Sequence, residues 1–453
     1  MKKAIFNIFN ILIFLFFSFC AAIFFISRTI IIEREIEGPT DLSIPQEVKE
    51  PVFLKFFEEK KENFISQKKD FLEVNLEEMK IRLYKKGLLI KEVPILKKGD
   101  PQEWGGSAAG LYKVLSGHTL SYSAVAEVYM PYALNYYGKY YIHGNPFYSW
   151  GERFQSDVSG GCLNLSDEDA KSIFELTELN MPVLVIDKVK ENYDYFRKER
   201  YKLREISAES YLVVDLDSGY VFAEKDFQKQ LPLASLTKLL TALVVAENVD
   251  LKKSIFVEQW MLGGYGSTKG LEKGKSYRVV ELFYPLLIES SNDAAEVLSY
   301  YLGRKRTINL MNDKAGAILM EQTRLVDPSG YEPENLSTAK NLFYLARYLL
   351  NNRPPILEIT KGKEVPSFGE IKFKIEDLWN KNVFINDPTF VGGKTGYIIS
   401  SKNTALFIFR LTTKENVERN IAVILLGSEN SETDTQKIYI WLLKNYFKLT
   451  ENI

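Results

Sequence analysis

The sequence predicts a multi-domain chain: an N-terminal transmembrane helix, a mostly-β domain, and then an α/β domain built on a buried helix. Three observations predict it. The chain has 453 residues, room for two or three domains. Ala4 to Ile26 is a run of 23 mostly apolar positions, enough to span a bilayer. Beyond it, short alternating segments broken by Gly and Pro give way, near residue 235, to a long apolar stretch with a helical beginning.

The first element is interrupted only mildly, by Asn7, Asn10, Ser18 and Cys20. Lys2 and Lys3 precede it and Arg28 follows, a bias that leaves the N-terminus inside and the rest of the chain outside. A cleaved signal peptide is the alternative, but no small-x-small site follows the apolar core, and Phe19 before Cys20 is no lipoprotein box. Residues 1–32 are therefore read as a cytoplasmic tip and anchor. Residues 33–70 are charged, carry Pro39, Pro45 and Pro51, and are read as a stalk with some helix.

Composition excludes more than it assigns. Apolar and charged fractions of 46% and 26% are ordinary for a globular protein, and a net charge of −1 gives no reason to expect nucleic acid. Two cysteines and two histidines leave no room for a disulfide framework or a His/Cys metal centre. No metal and no cofactor is expected.

Residues 71–187 read as the mostly-β domain. Lys80–Lys85 alternates, Ala124 to Ile142 is apolar and aromatic-rich, and Val183–Ile186 closes the region. Its chemistry lies in His143 and in Ser159-Gly160-Gly161-Cys162-Leu163-Asn164. Cys162 is the only cysteine outside the anchor. A thiolate is a nucleophile, and the His143 imidazole is the candidate to lower its pKa and hold its proton. Gly160 and Gly161 can turn backbone N–H groups toward a developing oxyanion. A small buried cysteine is the plainer reading. His118 is taken as structural or surface. Residues 188–206, charged and aromatic, read as a linker.

Residues 207–453 form the α/β domain. Leu231–Val244 reads as the start of a buried helix, with Pro232 at or just before its first turn. Ser235 and Lys238, three apart, share one face of it. A serine needs a base, and lysine serves only when burial or a neighbouring cation lowers its pKa. Ser290-Ser291-Asn292 and Lys394-Thr395-Gly396 follow in order. Thr433 to Phe447 has helical spacing and should pack on the last sheet.

With those three motifs in order, residues from about 207 to 448 resemble the serine-type D-alanyl-D-alanine carboxypeptidases, the low-molecular-weight penicillin-binding proteins. Leu212–Tyr220, Gly266–Leu271, Leu286–Ala295, Asp327–Gly330 and Ser337–Ala339 extend the resemblance. It implies an antiparallel sheet with a helical cluster, as in the penicillin-binding and β-lactamase fold. It also implies roles. Ser235 attacks and Lys238 takes its proton. Ser290 relays a proton to the leaving amine, and Asn292 holds the substrate amide and Lys238. Lys394 and Thr395 grip the substrate carboxylate, Lys394 also depressing the pKa of Lys238, and Gly396 lets substrate lie close. The implied partners are peptidoglycan stem peptides ending in D-Ala-D-Ala, with β-lactams as inhibitors. A β-lactamase, suggested by Glu332-Pro333-Glu334-Asn335, and a penicillin-sensor domain are the alternatives.

His143, fifteen intervening residues and Ser159–Asn164 resemble the signature of L,D-transpeptidases, with Gly110–Val114 as the upstream strand. The family usually has histidine where this chain has Gly160. The resemblance implies Cys162 as nucleophile, His143 as base, and Ser159, Gly160, Gly161 and Asn164 around the substrate. A catalytically dead wall-binding module is the alternative. If both resemblances hold, the carboxypeptidase trims pentapeptides to the tetrapeptides that the transpeptidase uses as acyl donors.

Overall fold

The computed structural model describes residues 56–188, 193–195, 201–262, 271–366 and 368–448. The expected anchor at Ala4–Ile26, the stalk up to residue 55, most of Gly266–Leu271 and parts of the 188–206 linker lie outside the described residues. Among the described residues no helix is long and apolar enough to cross a membrane. The described residues from 56 to 195 and from 203 to 448 fall in one compact unit.

The last part of the expected stalk is a helix, α1 (Phe56–Ser66), that packs rather than projects. Phe64 is buried against Phe71 and Tyr84, and Lys61 pairs with Glu73 at 2.9 Å. Nine strands follow: β1 (Phe71–Asn75), β2 (Lys80–Lys85), β3 (Leu88–Pro94), β4 (Gly110–Lys113), β5 (Ser116–Ser123), β6 (Val128–Tyr137), β7 (Tyr140–His143), β8 (Leu163–Asn164) and β9 (Pro182–Ile186). They make a five-stranded sheet, β3-β2-β1-β9-β4, and a four-stranded sheet, β5-β6-β7-β8. One apolar core lies between, including Leu72, Val74, Tyr136, Ile142, Leu163 and Val183. Helix α2 (Asp167–Leu176) is fixed at its start by Ser166, whose hydroxyl accepts from Asp169 N, with three acidic residues in the first turn.

The C-terminal part has a five-stranded antiparallel sheet of β10 (Ser210–Asp215), β11 (Val221–Lys225), β16 (Phe390–Ile398), β17 (Lys402–Thr412) and β18 (Glu418–Ser428), in the order β11-β10-β18-β17-β16. Short pairs join β12 (Leu231–Pro232) to β15 (Leu336–Ser337), and β13 (Ser254–Phe256) to β14 (Ser276–Arg278). Strand alternation sorts the two faces. Leu212, Val214, Leu406, Ile408, Ala422 and Ile424 face a helical cluster. Its helices are α3 (Thr237–Asn248), α4 (Val279–Leu287), α5 (Asn292–Leu302), α6 (Arg304–Ala317), α7 (Ala339–Asn352) and α8 (Pro354–Thr360). Val213, Phe407, Phe409, Ile421 and Val423 face the other way, onto Ile438, Trp441 and Leu442 of α9 (Ser431–Asn445).

One boundary differs from the sequence expectation. The helix begins at Thr237, not near Leu231. Leu231 and Pro232 instead pair with Ser337 and Leu336, and a single 3-10 turn, Ala234–Leu236, carries Ser235. Proline's missing N–H is as harmless in a two-residue edge pair as in a helix's first turn, so the residue alone does not choose between them.

Candidate active sites

Ser235 is half-buried on its 3-10 turn, and Ala234 before it has φ +48°, a conformation that non-glycine residues rarely adopt. Lys238, one turn on, is fully buried. Its Nζ lies 3.0 Å from Ser235 Oγ, 2.6 Å from Asn292 Oδ1 and 2.6 Å from the carbonyl of Ser329. Burial pulls the ammonium down to about 7. A neutral lysine has two N–H donors and one lone pair. Asn292 and Ser329 occupy both donors, and the lone pair is left for the Ser235 hydroxyl.

Ser329 was not singled out in the sequence, because what it offers is a main-chain oxygen. Its loop is fixed by Asp327, whose carboxylate accepts from Ser329 N, Gly330 N and Glu332 N. Asn335 fixes Asp327 in turn, accepting from Val326 N and Asp327 N and donating to Asp327 O and to Thr237 Oγ1 at the start of α3. The Asp-Pro-Ser-Gly turn signal was visible; its distance from the base was not.

Asn292 opens α5, capped by Ser291, whose hydroxyl accepts from Ala294 N at 3.0 Å. Ser290 has φ +64°. Among the described residues the side-chain contacts of Lys238 are with Ser235 and Asn292, and none is with Ser290.

Lys394 is fully buried on β16, donating to Thr395 O at 2.8 Å. It is held well below its ordinary value by burial, then by the charges of Lys238 and Lys381. Among the described residues no carboxylate pairs with it. The expected push of Lys394 on Lys238 is not among the influences there: burial lowers Lys238, and Asp327 and Glu296 act the other way. Thr395 is half-buried beside it. At Gly396 a Cβ would stand 2.7 Å from Ser235 N and 3.0 Å from Ala234 Cβ. The close approach there is to the nucleophile's own turn.

The cysteine centre departs further from expectation. β7 and β8 run parallel with Ile142 opposite Leu163 and His143 opposite Asn164, and Cys162 immediately precedes β8. No hydrogen bond joins their side chains among the described residues: His143 Nδ1 lies 2.6 Å from Gly144 O, and Cys162 Sγ lies 3.7 Å from Lys139 O. If Nδ1 carries the proton for that bond, Nε2 keeps its lone pair. Cys162 is partly exposed as a residue, yet its sulfur is desolvated and the thiol is pushed up to about 11. Burial also lowers His143 to about 4. At neutral pH the pair is therefore thiol and neutral imidazole, where a lowered thiol had been expected.

Ser159 and Gly161 close the turn internally. Ser159 Oγ accepts from Gly161 N at 3.1 Å and donates to Cys162 O, so the Gly161 N–H is not free for an oxyanion. Gly161, at φ +113°, has Tyr140 Cε1 2.4 Å from where a Cβ would sit. Nothing lies within 4 Å of a Cβ at Gly160, so a side chain fits there. Asn164 is buried with its Oδ1 lacking a partner. His118 is exposed on β5.

The first centre can support serine acyl transfer with a lysine base, on an antiparallel sheet flanked by helices. The comparisons agree. Residues 197–429 match the D-alanyl-D-alanine carboxypeptidases, and residues 69–185 match the L,D-transpeptidase catalytic domain. The D-alanyl-D-alanine carboxypeptidase DacB2 of Mycobacterium tuberculosis is 32% identical over 204 residues, 44% of this chain and 68% of that protein. A D-alanyl-D-alanine endopeptidase of Haemophilus influenzae is 32% identical over 232 residues, 49% of this chain and 77% of that one. A solved D-alanyl-D-alanine carboxypeptidase from Mycobacterium tuberculosis H37Rv aligns with a TM-score of 0.47 at 25% identity, over 56% of this chain and 95% of that chain. The chain belongs to the D-alanyl-D-alanine carboxypeptidase family and carries an L,D-transpeptidase domain ahead of the family's own.

Proposed function

We propose that the protein is a membrane-anchored, peptidoglycan-remodelling enzyme with two acyl-transfer centres on the extracytoplasmic side, the first a D,D-carboxypeptidase. Ser235 Oγ attacks the carbonyl of the penultimate D-Ala while its proton passes to Lys238 Nζ. The C–N bond breaks, the leaving D-Ala takes a proton, and water hydrolyses the ester. The observation that carries this reading is the three-contact seat of Lys238, which leaves one lone pair, directed at Ser235. Buried Lys394 supports it: without a carboxylate partner its charged form is costly to bury, and a substrate carboxylate would favour that form. β-Lactams acylate the same serine.

The test is D-alanine release from a D-Ala-D-Ala peptide by the full chain and by Ser235→Ala. Release by wild type alone is expected. No release by wild type favours a penicillin-sensor domain, and rapid turnover of a chromogenic cephalosporin favours a β-lactamase. Cleavage of cross-linked dimers in preference to free pentapeptides favours an endopeptidase, the activity named for one of the relatives.

The second centre we read as an L,D-transpeptidase. Cys162, deprotonated through His143, forms a thioester with a tetrapeptide stem, releases its terminal residue, and passes the acyl group to an acceptor amine. The parallel pairing of β7, which ends at His143, with β8, which Cys162 precedes, supports this reading, as does room at Gly160 for the histidine that the L,D-transpeptidase signature usually carries. Loss of cross-linked product in Cys162→Ala is expected; an unchanged product pattern favours a wall-binding module. The carboxypeptidase, making tetrapeptides on the same chain, raises their local concentration for Cys162.

A further inference from the structure

Between β6 and β7 the chain turns against the C-terminal end of α3, the helix whose other end carries Lys238. Lys139 sends its ammonium into that end and donates to the carbonyls of Ala246 and Val249, both at 3.1 Å. A helix terminus leaves such carbonyls open, and a cation suits them. Asn248 reaches back to the Tyr137 hydroxyl at 3.4 Å. Tyr140 OH accepts from Arg353 at 2.6 Å, and Arg353 pairs with Glu247 of α3 at 2.9 Å.

The same turn is the floor of the cysteine centre. The Cys162 thiol faces the Lys139 carbonyl at 3.7 Å, and Gly161 lies against the Tyr140 ring. Lys139 thus has its main chain on the sulfur and its side chain seated in the carboxypeptidase helix.

We propose that Lys139 is a positioning residue of the cysteine centre, seated by the C-terminal end of α3, so that the carboxypeptidase domain sets the reactivity of Cys162. The significance of this rests on reading Cys162 as a nucleophile; its test reads the thiol itself. The groups around the sulfur are Tyr136, Tyr140, Tyr141 and Lys139. Of these, Lys139 is the cation, and its charge acts against the burial that raises the thiol. Arg353, Glu247 and Asp250 act on Lys139, which burial and Arg353 hold at about 8. It is therefore mostly charged at pH 7 and loses that charge as pH rises past 8.

The experiment is iodoacetamide alkylation of the full chain, followed at the Cys162 peptide by mass spectrometry from pH 6 to 10. Wild type, Lys139→Met and Lys139→Arg are compared, with penicillin acylation of Ser235 as the folding control. Lys139→Met should slow alkylation at pH 7 by about three- to tenfold and move the profile to higher pH, while Lys139→Arg stays near wild type. Ser235 acylation should not change. If Lys139→Met is alkylated as fast as wild type or faster at pH 7, or if Lys139→Arg is as slow as Lys139→Met, the proposal is overturned. Should Lys139→Met lose Ser235 acylation, Lys139→Gln is read by the same criteria. A wild type that lacks transpeptidase activity leaves this comparison intact.

Discussion

Lys238 concentrates the chemistry of the serine centre in one nitrogen. Its value of about 7 makes a sign prediction. Below pH 7 the lysine gains a proton and loses the lone pair that Ser235 needs. Penicillin acylation of Ser235 should therefore fall about tenfold per pH unit on the acid side, with a midpoint near 7. Lys238→Arg, which cannot act as a base at any accessible pH, should lower acylation by about a hundredfold or more. A flat acid limb contradicts the assignment. The cysteine motif gives a second contrast. Gly161→Ala drives a Cβ into the Tyr140 ring and should abolish Cys162-dependent product; Gly160→Ala meets open space and should leave it nearly unchanged. Equal effects in a product assay contradict the turn geometry. Ser235, Lys238 and Asn292 were legible in the sequence because short motifs name their side chains. The carbonyls of Ser329 and Lys139 were not, since any residue supplies one. Nor was the raised thiol of Cys162, because tertiary packing alone brings tyrosine rings around it.

The elements show where pattern reading stops. Alternation in Lys80–Lys85 and the helical spacing of the final segment survive as β2 and α9, since each buries one face. The sequence places the start of α3 too early because the pairing of Leu231–Pro232 with β15 is a contact across about a hundred residues, which no local period encodes. That pairing and the Asn335 side chain join the 327–337 segment to the nucleophile's turn. Asn335→Ala should strand the N–H groups of Val326 and Asp327 and cost roughly 2–4 kcal/mol, read as a lower Tm. Ser235 acylation should slow with it as the Ser329 carbonyl drifts from Lys238. An unchanged Tm contradicts this role.

The two parts of the chain share more than a tether. Glu247 of α3, fully buried, pairs with Lys314 at 2.8 Å and with Arg353 at 2.9 Å and accepts from the Tyr348 hydroxyl. Lys314 donates to Tyr112 of β4, and Arg353 to Gly106 O and Tyr140. Burial lifts Glu247, but Lys314 and Arg353 outweigh it and hold the carboxyl below its usual range. Glu247→Gln leaves two buried cations without an anion and should cost about 3–5 kcal/mol, lowering Tm and loosening both centres. A Tm near wild type contradicts the lock. The two centres sit at opposite ends of α3, whose 12 residues rise about 18 Å. Product analysis of pentapeptide muropeptides with wild type, Ser235→Ala and Cys162→Ala tests the two-centre account most directly. Wild type should yield tetrapeptide and a cross-linked product, Cys162→Ala tetrapeptide alone, and Ser235→Ala neither. If Ser235→Ala makes the Cys162-dependent product as fast as wild type, the two centres do not work in sequence.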